Sequence, residues 1–111
     1  MRQPTIGVAA LALAAAFSSA PAAAEWPERP ITIVVPFPAG GGTDTFARPL
    51  AQQLGSQLGQ SVVIDNKGGA GGTVGAAFAA KAQPDGYTFF MGGAHHALAP
   101  SLYKSLKYDI Q

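Results

Sequence analysis

One pattern recurs between Ile31 and Met91: an apolar run, a glycine-rich or turn-forming loop, then residues at helical spacing. "ITIVV" (Ile31 to Val35) is β-branched throughout and shows no polar alternation, which predicts a strand covered on both faces. After "PFPAGGG", Phe46, Leu50, Leu54 and Leu58 recur every fourth residue with Ala47 and Ala51 beside them, the apolar stripe of a helix packed on a sheet. Gly59 is placed to stop that helix. "SVVID" (Ser61 to Asp65) reads as the second strand, and "NKGGAGG" follows as a second glycine loop. Val74, Ala77 and Phe78 then open a second helical stripe. "QPDG" has the residues of a tight turn before a third strand, "YTFFM" (Tyr87 to Met91), whose aromatics are expected in the core. "GGAHHALAPSLY" leads away from it. This order predicts an α/β fold: parallel strands, right-handed crossovers, and helices on both faces. The loops after the strands then share one edge of the sheet, where open α/β sheets bind ligands.

Residues 1–24 stand outside that pattern. They carry one early cation, Arg2, an apolar core "IGVAALALAAAF", and Ala22-Ala23-Ala24, the layout of an export signal cut before Glu25. The apolar core falls short of the roughly 20 residues of a membrane span. The expected mature chain, 25–111, is therefore exported, with no membrane span after cleavage. Loss of Arg2 balances its charge, since the whole chain has seven basic and six acidic residues. No basic excess points to a nucleic-acid partner. With no cysteine, an exported product has no disulfide to staple it.

A loop from strand to helix through glycine exposes backbone N–H groups beside the positive end of a helix dipole, an anion site. Nucleotide phosphate does not fit: neither glycine cluster is followed by Lys-Ser/Thr, and neither keeps the dinucleotide spacing, because Thr45 and Val74 stand where the last glycine belongs. The alternative, that each cluster only makes a tight turn, stays open for either one alone. Pro36 and Pro38 stiffen the first loop in advance of any ligand. Thr43 or Thr45 is expected to cap the first helix, with Asp44 in its first turn either complementing the dipole or touching ligand. His95 and His96 are adjacent and in extended chain diverge, so no metal site is expected, and one of them is a candidate donor to an anionic ligand. No cofactor is indicated. No serine lies in a nucleophile elbow and no paired-carboxylate motif exists, so catalysis would need residues beyond Gln111.

These residues resemble the Bug family, the periplasmic solute receptors of tripartite tricarboxylate transporters. The resemblance runs from "WPERPITIVVPFPAGGGTD" through "LGQSVVIDNKGGAGGTVGAAFAAKAQPDGYTFFMG" to "HALAPSLYKSLKYD". It implies the first-lobe portion of a two-lobed, type II-like Venus-flytrap binding protein without catalytic activity. It implies small carboxylate ligands, and membrane subunits of the tripartite system as partners. Carried onto this chain, the ligand contacts fall on Phe37, Ala39, Gly40, Gly41 and Asp44, on Ala70, Gly71 and Gly72, and on His96. Lys67-Gly68 and Ala99 depart from common family residues. Family members continue past "YD" into a second lobe, so residues 25–111 are expected to be the N-terminal portion of lobe one. The competing expectation is the N-terminal part of an exported α/β enzyme.

Overall fold

The computed structural model describes residues 23–109; the expected export signal lies outside them apart from its last two residues. Three parallel strands, β1 (Ile31–Val35), β2 (Val62–Asn66) and β3 (Thr88–Phe90), form one sheet in the order β2-β1-β3. The central strand is the one with no polar alternation, and Ile31, Ile33, Val34 and Val35 are all buried. Helix α1 (Gly42–Leu58) joins β1 to β2 and covers the face carrying Ile33 and Val35; their cluster includes Ala47 and Ala51, with Leu54, Val62 and Ile64 packed against it. Helix α2 (Thr73–Ala80) joins β2 to β3 across the other face. The chain therefore moves to opposite sides of β1 in its two crossovers. This places the topological switch point between β1 and β3.

Gly59 ends α1 in the left-handed region at φ 69°, where glycine carries no Cβ penalty. The start of α1 differs from expectation. Gly41 is the N-cap and no side chain caps it; Thr45 Oγ1 instead donates back to the Gly41 carbonyl at 3.0 Å. The stripe is also rotated. Phe46 and Leu50 are 77% and 42% exposed, while Asp44, Ala47 and Ala51 are buried. A four-residue repeat drifts about 40° per step on a helix of 3.6 residues per turn, so Phe46 and Leu58 lie about 120° apart. Positions 47, 51, 54 and 58 alternate steps of four and three and hold one line.

α2 shows the same correction. Val74 and Phe78 are half-exposed, and the contact with the sheet is made by Gly75 and Ala76. A Cβ at Gly75 would lie 2.7 Å from both the Lys67 carbonyl oxygen and Pro36 Cα, so only glycine lets α2 come this close. Phe89, expected in the core, is 46% exposed on an apolar groove with Trp26, Leu50 and Leu54. β3 is an edge strand, and α1 sits over β1 and β2, on the other side of the sheet's centre. Finally, "HHALAPSL" is not extended: it forms a third helix, α3 (His95–Leu102).

Candidate functional site

Three loops leave the carboxyl ends of the strands: 36–41 after β1, 67–72 after β2, and 91–94 after β3. In the first, the Asp44 carboxylate turns inward and organises the loop. Its Oδ2 accepts from the Gly40 N–H at 2.8 Å and Arg48 Nε at 2.7 Å, and its Oδ1 from Asn66 Nδ2 at 3.0 Å. The group is buried, and these bonds hold its pKa down, from the ordinary 3.8 to about 2. The Gly40 bond is the largest cause, followed by those from Arg48 and Asn66. Asn66 Nδ2 also donates to the Phe37 carbonyl at 3.0 Å, tying the first loop to the end of β2. Sequence reading did not single out Asn66. Its one signal was a polar residue closing an apolar strand.

The second loop is built from left-handed backbone. Gly69, Ala70, Gly71 and Gly72 have φ of 125°, 47°, 65° and 89°. Ala70 is the non-glycine among them, in a region that costs an L-residue about 1–2 kcal/mol. The run coils into a single 3-10 turn, Ala70–Gly72, in which the Gly72 N–H donates to the Gly69 carbonyl at 3.0 Å.

The histidines brace that turn from α3. His95 Nε2 meets the Gly71 carbonyl at 3.1 Å, and His96 Nε2 meets the Gly72 carbonyl at 3.2 Å. Nδ1 of His96 lies 3.2 Å from both the Gly93 N–H and the Gly93 carbonyl oxygen, so both ring nitrogens are engaged by loop backbone. On the first turn of a helix the two rings converge, with centroids 4.1 Å apart, rather than diverging as extended chain would require. Phe37 lies 5.2 Å from the His95 ring and Phe90 5.0 Å from the His96 ring. This aromatic cluster fills the β1/β3 switch point.

Of the residues singled out from sequence, Asp44 and His96 are buried and occupied by protein partners. Gly40, Gly41 and Gly72 also use their N–H groups internally, Gly41 weakly at 3.4 Å to the Pro38 carbonyl. The N–H groups of Ala39, Ala70 and Gly71 have no partner among the described residues, and those of Gly42 and Thr43 at the start of α1 have none either. The last two were missed in the sequence, although the opening N–H groups of any helix lack intrahelical acceptors. The edge is thus lined with free backbone donors, pre-set by a buried side-chain frame.

Comparison with known proteins matches residues 46–111 to the tripartite tricarboxylate transporter family receptor. Protein BugT of Bordetella pertussis is 43% identical over 108 residues, covering 95% of this chain and 33% of its own length. The solved periplasmic binding protein BugD superposes with a TM-score of 0.73 at 54% identity, covering 76% of this chain and 28% of that one. Rpa4515 of R. palustris, solved with adipate, superposes with a TM-score of 0.70 at 44% identity over 77% of this chain and 29% of that one. The chain spans about a quarter to a third of the length of the curated relatives it matches. The parallel α/β architecture, the paired glycine loops and these similarities agree, and the chain belongs to the receptor family of the tripartite tricarboxylate transporters.

Proposed function

We propose that the chain is part of an exported receptor that captures a small carboxylate for a tripartite tricarboxylate transporter, acting by binding rather than by catalysis. One observation carries this reading: the unpartnered N–H groups of Ala39, Gly42, Thr43, Ala70 and Gly71 all belong to the first two strand-to-helix connections, at the carboxyl edge of the parallel sheet. Each hydrogen bond from such a donor to a carboxylate contributes roughly 1.5–3 kcal/mol, and none of these donors must first break a protein bond. The frame of Asp44, Asn66 and the two histidines reduces the ordering cost on binding. The adipate seen with one relative is the class of ligand this surface suits. In this reading residues 1–24 direct export, residues 25–111 supply the N-terminal portion of lobe one, and the membrane subunits of the transporter receive the ligand.

Titrating the ¹⁵N-labelled chain with adipate tests the reading directly. The amides of Ala39, Gly42, Thr43, Ala70 and Gly71 should move together along one saturating curve, and Gly40, already bonded to Asp44, should move least. Absence of a saturable response at these amides, with sodium chloride as the matched control, overturns it.

A further inference from the structure

We infer that the groove between the second glycine loop and the segment after α3 is a subsite for one carboxylate of an aliphatic acid, with the Tyr103 hydroxyl and the Lys107 ammonium as its side-chain donors. The proposal rests on reading the glycine loops as a carboxylate site, and adds side-chain donors to a site otherwise made of backbone.

The groove holds about 210 Å³ and is lined by Ala70, Thr73, Val74, Tyr103, Leu106 and Lys107 among others. Drug-sized sites run from roughly 300 to 1,000 Å³, so this one suits a few carbons and one charged end. The Tyr103 hydroxyl abuts Gly71; a Cβ at that glycine would collide with the phenol oxygen. The hydroxyl therefore packs against Gly71, whose own N–H is free, and neither group has a hydrogen-bond partner among the described residues. Lys107 pairs with no carboxylate among them. Thr73 opens α2, whose first turn carries no acidic residue, so no fixed negative charge opposes an anion there. Asp44, by contrast, sits in the first turn of α1. The apolar part of the groove is also otherwise unexplained: Val74 is half-exposed beside Ala70 and Leu106, a lining that covers methylenes.

The test compares wild type, Tyr103→Phe and Lys107→Gln in the full 111-residue chain, titrated with adipate and followed by amide shifts and thermal melting. Tyr103→Phe keeps the ring, and its hydroxyl has no protein partner to lose, so the melt should not move. Adipate should shift the Gly71, Thr73 and Leu106 amides. Affinity should fall about fivefold to tenfold in Tyr103→Phe and about threefold in Lys107→Gln, the latter difference shrinking with salt. Unchanged affinity in both variants, with Ala39, Gly42 and Thr43 still responding, overturns the groove and leaves the proposed function standing. A groove response without one at Ala39, Gly42 and Thr43 supports the subsite and removes the first loop from the proposed function. No response at either place overturns both.

Discussion

The two ends of the sheet are built on opposite plans. At the carboxyl end, side chains turn inward and backbone turns outward: Asp44, Asn66 and His96 spend their polar atoms on the loops, leaving main-chain N–H groups at the surface. At the amino end the side chains face solvent. Trp26 Nε1 donates to the Gly86 carbonyl at 3.2 Å, and the Tyr87 hydroxyl accepts from the Glu28 N–H at 2.9 Å. Arg29 pairs with Asp85 at 2.7 Å while its guanidinium sits 3.9 Å over the Tyr87 ring. This clasp closes the turn before β3 onto the segment before β1. The buried frame fixes the geometry of the loop backbone, whereas the exposed clasp fixes only the chain's path.

The same substitution made at each end should expose the difference. Alanine ordinarily stabilises a helix interior over glycine by about 1 kcal/mol. At Gly75 the added methyl meets the Lys67 carbonyl and Pro36 Cα at 2.7 Å, both backbone, so overpacking wins. Gly75→Ala should lower stability by about 2 kcal/mol net and disturb both glycine loops, read from the urea midpoint and the loop amide shifts. Gly86 in the clasp, unlike helical Gly75, has a positive φ of 79°, and the nearest atom to a Cβ there is Trp26 Nε1 at 3.6 Å. Gly86→Ala should therefore cost only the conformational penalty, about 1 kcal/mol, and leave the loop amides in place. Equal losses would show that the carboxyl end is no more constrained than the clasp.

Gly75 also shows where sequence stops being informative. Element order, the parallel α/β class, β1 and the Gly59 stop were legible because each follows from local pattern or backbone sterics. Which face of a helix is buried depends on what packs there. Phe46 and Val74 announce a hydrophobic stripe, yet small residues at Ala47, Ala51 and Gly75 make the contact because the backbones approach closely. α3 was hidden by Pro100 in its interior and by the glycines before it, so the histidines were assigned the wrong local geometry. The glycines mark both loops as irregular backbone in the sequence, but which of their N–H groups stay free depends on the hydrogen bonds of Asp44, invisible without its partners.

A smaller effect should separate the two acidic groups. Asp44→Asn preserves shape, but its amide cannot accept from Gly40, Arg48 and Asn66 together, so one donor faces another. Stability should fall less than in Gly75→Ala and more than for any clasp variant. Wild type should add an acid-dependent loss. A carboxylate with its pKa depressed in the folded chain stabilises fully above its ordinary 3.8, and that contribution disappears as pH falls through about 2. Asp85 is shifted in the same direction, chiefly by the Tyr87 N–H and then by Arg29, so Asp44→Asn should flatten the acid limb without abolishing it. Urea midpoints between pH 5 and pH 2 measure this, and an unchanged acid limb would show that the Asp44 frame contributes nothing to it.

The smallest effect belongs to the clasp. In the Arg29–Asp85 pair both side chains are half-exposed, at 58% and 40%, and exposed pairs of this kind contribute little. Arg29→Gln should lower the melting temperature by only a few degrees. About 1 M sodium chloride, which shortens the screening length to about 3 Å, should erase most of that difference. Under the same salt, the deficit of Asp44→Asn should persist, because its donors reach a buried carboxylate that ions do not approach. A clasp deficit that survives high salt would transfer its origin from the ion pair to the stacking of Arg29 on Tyr87, where contact dispersion is not screened. A deficit as large as that of Asp44→Asn would break the comparison itself, since the exposed end would then hold the sheet as firmly as the buried frame.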